Sequence, residues 1–184
     1  MRKFVIFSLV GVAIIGALIV VLVYLQMKET KSFSPEEEVS YKQKDLELKV
    51  LYNRPYKKDR EIFGALVPFD QVWRTGANEA TTFEANKDIK IENKTLKAGK
   101  YSLWAIPGRE KWTVIFNSEY GQWGINSKGD ANRNPENDVL TVDVMPVVQD
   151  QVFEQFTISF NESGEDIEMV LAWDKTLVII PIEY

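Results

Sequence analysis

Between Trp73 and Thr82 the chain packs Arg74, Thr75, Asn78, Glu79, Thr81 and Thr82 around Gly76. Arginine offers a planar fork of donors, asparagine both donates and accepts, and a glutamate carboxylate accepts. Three directional hydrogen-bonding groups thus fall within the six residues from Arg74 to Glu79. The stretch has no strand period, and its glycine permits a tight turn. Such a set can grip a small polar ligand, or it can fix a loop crossing and do nothing more. Trp73, Arg74, Thr75, Asn78 and Glu79 are the candidate ligand-binding residues on this segment. An Arg74–Glu79 pair would keep the carboxylate ionised and make it a poor general acid, which places binding ahead of catalysis. The enzymatic alternative takes Glu79 and Asp70 as acid and base of a carboxylate-dependent hydrolase acting on glycans. A purely structural domain is the third reading.

Composition removes most other chemistry. The 184 residues contain no Cys and no His. That excludes disulfides, a thiolate nucleophile, a Ser-His-Asp triad and the commonest ligands for zinc, copper and iron. A metal here would be a hard cation held by oxygen. Asp130-x-Asn132-x-Asn134 copies the opening of a calcium loop, but Pro135 stands at the glycine position and Thr141 at the closing glutamate position. Lys97-Ala98-Gly99-Lys100 lacks the earlier glycine and the following hydroxyl of a phosphate loop. No metal and no cofactor is expected. Of the five tryptophans, Trp112 and Trp173 lie on apolar strand faces and read as core. Trp123, in an aperiodic loop, is a sixth candidate ligand-binding residue, or else a cap on the core.

The segment from Arg60 to Phe83, centred on Trp73-Arg74-Thr75-Gly76-Ala77-Asn78-Glu79-Ala80-Thr81, resembles the signature of the domain-of-unknown-function 2911 family of bacterial proteins. Leu96 to Leu103, Ile106-Pro107 and Trp112 to Asn117 continue the match. Phe156-Thr157-Ile158 and Trp173 extend it weakly, so that it spans about residues 45–184. One departure is Asp59, where family members often carry glycine. The resemblance implies family membership and an envelope setting, and carries no established reaction.

The elements that must position these residues follow from periodicity. Phe4 to Leu25 is uncharged and almost wholly apolar. A helix of that length spans a hydrocarbon core of about 30 Å at about 1.5 Å per residue. Arg2 and Lys3 precede it, which favours a cytoplasmic N-terminus. Val23 to Met27 offers no small-x-small cleavage site, so the helix is expected to stay as a single-pass signal anchor over residues 1–27. Residues 28–43, with the Glu36-Glu37-Glu38 run, read as a charged linker. Residues 44–184 then form one extracytoplasmic domain.

In that domain the period is two. Leu46, Leu48 and Val50 mark one strand, and Thr81 to Ala85 another. Ile89 with Ile91 begins a third, and Lys100–Ile106, Trp112–Phe116 and Val139–Met145 follow. Phe153–Phe160, Ile167–Trp173 and Thr176–Ile182 complete about nine short strands. The fold class is all-β, a β-sandwich or jelly roll behind one transmembrane helix. Residues 53–80 and 118–137 break the rhythm, and loops that long inside a compact domain are usually functional or disordered.

Beyond residue 26 the chain carries 20 basic and 27 acidic residues, a net −7, which argues against nucleic acid as a partner. The expected partners are the membrane, through residues 4–25, and a small molecule, glycan or envelope protein. The expected location is the cell membrane with the domain in the periplasm.

Overall fold

The computed structural model describes the backbone of residues 2–164 and 166–184, with the side chains of 2–10, 12 and 27 left aside. The chain divides into two compact units, Met1–Phe33 and Ser34–Tyr184.

The first unit is one helix, α1 (Arg2–Phe33). Its Ala13–Phe33 portion is long and apolar enough to cross a membrane, and none of that portion is buried. That exposure distinguishes it from the core helix of a soluble protein. The expected flanking charges Arg2 and Lys3, and the side chains of Phe4–Val10, lie outside the described residues. The helix continues past the expected anchor boundary at residue 27, where Thr30 and Ser32 hydroxyls bond back to the carbonyls of Gln26 and Glu29.

Among the described residues the second unit contains ten antiparallel strands in two sheets. They are β1 (Glu36–Gln43), β2 (Leu46–Asn53), β3 (Thr82–Ala85), β4 (Ile89–Ile91) and β5 (Lys94–Leu96), followed by β6 (Gly99–Ile106), β7 (Trp112–Asn117), β8 (Asp138–Val144), β9 (Pro146–Ser163) and β10 (Asp166–Glu183). One sheet runs β1-β2-β3-β6-β7-β8 and the other β5-β4-β10-β9. The first is a meander interrupted once, where the chain leaves after β3 to build the β4–β5 hairpin in the second. Glu92 and Asn93 turn that hairpin, both at positive φ, the geometry of a two-residue hairpin loop.

Alternation decides which faces meet. Leu46, Leu48, Val50 and Tyr52 of β2 are buried with half-exposed residues between them. Leu140, Val142 and Val144 of β8 are buried, with exposed Thr141 and Asp143 between them. These residues join Phe156, Ile158, Met169 and Ile180 of the second sheet in one hydrophobic cluster.

Two expectations change here. Residues 34–43, read from the sequence as the end of a charged linker, belong to the domain. Ser34 is buried, and β1 pairs with β2 along its whole length. The strand is half-buried on alternate residues (Glu37, Val39, Tyr41, Gln43), with Glu36 and Glu38 on its exposed face and Glu37 paired with Arg54. The two expected strands Ile167–Trp173 and Thr176–Ile182 are one strand, β10, kinked by register shifts at Asp174, which takes φ 53°.

Candidate functional site

Trp73 pairs with Ala105 through both backbone hydrogen bonds, 2.7 and 2.9 Å. Thr81, just before β3, accepts the Leu103 N–H at 2.8 Å. Residues 74–80 are therefore an excursion from a line of backbone that flanks β6. The excursion is closed at its neck, where Thr81 N donates to Arg74 O at 3.2 Å and Thr81 Oγ1 to Thr75 O at 2.6 Å. Trp73 Nε1 donates to Gly76 O at 3.0 Å.

The backbone of the excursion is unusual. Thr75 (φ 53°) and Asn78 (φ 55°) are left-handed, and for a β-branched threonine that is a true outlier. Thr75 Oγ1 is buried with no hydrogen-bond partner. At Gly76 a Cβ would lie 2.9 Å from Asn53 O and 3.2 Å from Thr81 Oγ1, so only glycine fits. Strain of this kind persists where the surroundings over-determine it.

Asn53, at the end of β2, is the hub that sequence reasoning missed. It is buried, its Nδ2 donates to Glu79 Oε2 at 3.2 Å, and its Oδ1 accepts from Asn78 Nδ2 at 3.3 Å. Asn78 Nδ2 also reaches Ser34 O at 3.4 Å. On the other side the excursion is tied to the 118–137 loop. Ala80 N donates to Gln122 O at 3.0 Å, and Arg74 NH1 to Trp123 O at 3.2 Å. Burial lowers the Arg74 guanidinium from its ordinary value, and the charge of Glu79 opposes that shift. Arg74 stays a cation at any physiological pH. Its stem lies on Gly124, where a Cβ would overlap Arg74 Cδ.

The six sequence candidates thus divide. Trp73, Arg74, Thr75, Asn78 and Glu79 come together in one hydrogen-bonded unit, and Trp123 joins it through its carbonyl. Thr75 and Asn78, at 0% and 3% exposure, face inward and cannot touch a ligand on this surface. Trp73 packs into the hydrophobic cluster. Arg74, Glu79 and Trp123 are half-buried. Asp70 is exposed and held at the β6–β7 turn by its N–H to Pro107 O at 2.8 Å, so it and Glu79 are positioned by different elements. Of the calcium-like residues, Asn134 caps the 3-10 turn at Pro135–Asn137, and Asp130 bonds Asn126. Among the described residues no group of three or more carboxylates gathers.

The Trp73 ring leads to a second feature. It packs edge-on to Phe63 and Trp112, with centroids 6.1 and 6.2 Å away, and stacks on Trp173 at 6.1 Å. Phe63 and Trp112 are also walls of a pocket of about 280 Å³. Phe69 and Arg109 form another side, the guanidinium 4.6 Å above the ring, which is cation–π contact. Glu61, Asp174 and Thr176 supply the polar rim. Lys57 pairs with Asp174 at 3.4 Å. No local motif marks these residues. The available signals were the aperiodic 53–80 segment and the Asp174-Lys175 break in an otherwise apolar strand.

Fold and site together define an antiparallel two-sheet domain, behind a membrane-length helix, with a braced polar loop and an aromatic-walled pocket. The family model for a protein of unknown function, DUF2911, matches residues 34–182. The chain belongs to that family. The match begins at Ser34, where the second compact unit begins. No curated protein and no solved structure matches the chain.

Proposed function

We propose that this chain is a membrane-tethered recognition module of the bacterial envelope. In this reading α1 crosses the membrane with its N-terminus in the cytoplasm, and the outer domain, its sheets the layers of a β-sandwich, holds a small ligand outside. The observation that carries it is convergence. The 53–80 segment, the β6–β7 turn, β7, β9 and the β10 bulge meet at one aromatic-walled, charge-rimmed pocket. Bulges and long irregular segments gather at functional sites, and apolar walls with a few polar groups are what small-ligand sites have. Trp73, Arg74, Thr75, Asn78, Glu79 and Trp123 act as the brace behind that pocket. The hydrolase reading has less support, because Glu79 is engaged by Asn53 and Asp70 belongs to another element. The burial of Thr75 and Asn78 favours a second reading, in which the domain is structural only.

The test is a metabolite and glycan screen by saturation-transfer NMR on the full chain in nanodiscs. The expected result is a ligand whose binding weakens in Glu61→Gln and Arg109→Ala while the unfolding midpoint stays unchanged. A ligand indifferent to both changes would move the site elsewhere, and no ligand at all would leave the structural reading.

A further inference from the structure

We infer that the pocket between Phe63, Phe69, Arg109 and Asp174 takes a single neutral sugar ring, as the end of a glycan presents it. This rests on the recognition reading above and names its ligand class.

The first argument is charge. Glu61 and Asp174 bring two carboxylates to the rim, while Arg109 on the rim and Lys57 beside Asp174 bring two cations. These four side chains balance one another in charge. A ligand with net charge would be attracted by one pair and repelled by the other, at a cost in desolvation that no surplus of opposite charge offsets. A polyhydroxylated ligand has no such conflict. Each hydroxyl both donates and accepts, so it can donate to Glu61 or Asp174 and accept from Arg109. Thr176 can do either.

The second argument is surface type. A pyranose has a flat face of C–H groups and an edge of hydroxyls. The pocket has the matching division, with Phe63, Phe69 and Trp112 as aromatic walls and Pro146 and Val148 as aliphatic ones. Ring C–H groups pack on aromatic faces and edges by dispersion and by weak C–H contacts. Arg109 already lies over Phe69, a contact that restricts part of its side-chain freedom before any ligand arrives.

The third argument is size. About 280 Å³ lies just under the range of about 300–1,000 Å³ usual for drug-sized ligands, which leaves room for one ring. Binding of a single ring is expected to be weak, with a roughly millimolar dissociation constant.

The experiment uses the full chain in nanodiscs of phosphatidylethanolamine and phosphatidylglycerol, assembled without maltoside detergents, which would compete. The probes are the methyl glycosides of glucose, galactose and N-acetylglucosamine, with benzoate and benzylamine as charged aromatic controls. Saturable transfer to ring C–H protons of at least one glycoside is expected. It should weaken by about tenfold in both Glu61→Gln and Arg109→Ala, the loss of one charge-assisted hydrogen bond. Both residues are exposed, so the variants should fold. Glycoside binding unchanged in both variants would overturn the assignment to this pocket. Binding of benzoate alone, lost in Arg109→Ala, or of benzylamine alone, lost in Glu61→Gln, would overturn the sugar and leave the recognition site standing. Binding of none of the probes overturns the sugar, and only a wider screen that also finds nothing would overturn the recognition reading.

Discussion

Replacing Asn53 by alanine tests whether the Arg74–Glu79 excursion is a brace. Asn53 is 2% exposed and makes two side-chain hydrogen bonds into the excursion, one from Asn78 and one to the Glu79 carboxylate. A neutral bond contributes about 1 kcal/mol and one to a charged group about 1.5–3 kcal/mol, so their joint loss is about 3 kcal/mol. With an m-value of about 2 kcal/mol/M, the urea midpoint should fall by about 1.5 M. All five tryptophans lie in the second unit, Ser34–Tyr184, so intrinsic fluorescence of the full chain follows that unit and not α1. Glu79→Gln leaves a side-chain oxygen where Asn53 Nδ2 reaches, and should lose less than Asn53→Ala. A loss below about 0.5 kcal/mol for Asn53→Ala, within the range of ordinary surface substitutions, would refute the brace.

Gly124→Ala should destabilise by about 2 kcal/mol, since Gly124 has φ 95° and its new Cβ would overlap Arg74 Cδ; an unchanged thermal midpoint would contradict that packing. Stability should fall in acid. Asp45, Asp88 and Asp143 are held below the usual carboxylate range, chiefly by hydrogen bonds from Lys87, Lys97 and Lys111 respectively. Depressed carboxylates contribute above their unfolded value of about 3.9 and lose that contribution as pH falls through their folded values. The urea midpoint should therefore be lower at pH 3 than at pH 5, with the difference reduced in high salt, and a higher midpoint at pH 3 would reverse the sign. Protease added to spheroplasts should remove residues 34–184, and a protected domain would reject the proposed orientation.

What could be read from the sequence was whatever one strand or one loop decides alone. The alternation of Leu46, Leu48 and Val50 needs no partner to be recognised, and its buried face is the observed one. β1 escaped because its polar side chains hide the period, and an edge strand has only one neighbour to satisfy. The Asp174-Lys175 pair interrupts the apolar period, yet one strand continues through it with register shifts, since β9 pairs on both sides of it. The density of polar groups after Trp73 was visible. Which of them face inward was not, because Asn53 decides it and lies more than 20 residues upstream. The pocket is assembled from residues between Glu61 and Thr176, and no local pattern can show such an assembly.

Trp73 makes one unit of the two features. At one end its indole N–H is fixed on Gly76, inside a loop whose backbone permits no other residue there. At the other, its ring lies against Phe63 and Trp112, the pocket walls, and Trp173 lies behind. Close-packed aromatic groups do not slide continuously, because even small gaps forfeit dispersion contacts. The position of the loop therefore sets the position of the walls. That explains why a strained threonine, an orphaned hydroxyl and buried asparagines stand some way from the surface that would meet a ligand. In the proposed recognition reading the walls must be fixed before the ligand arrives, and the Asn53–Asn78–Glu79 network can fix them through Trp73.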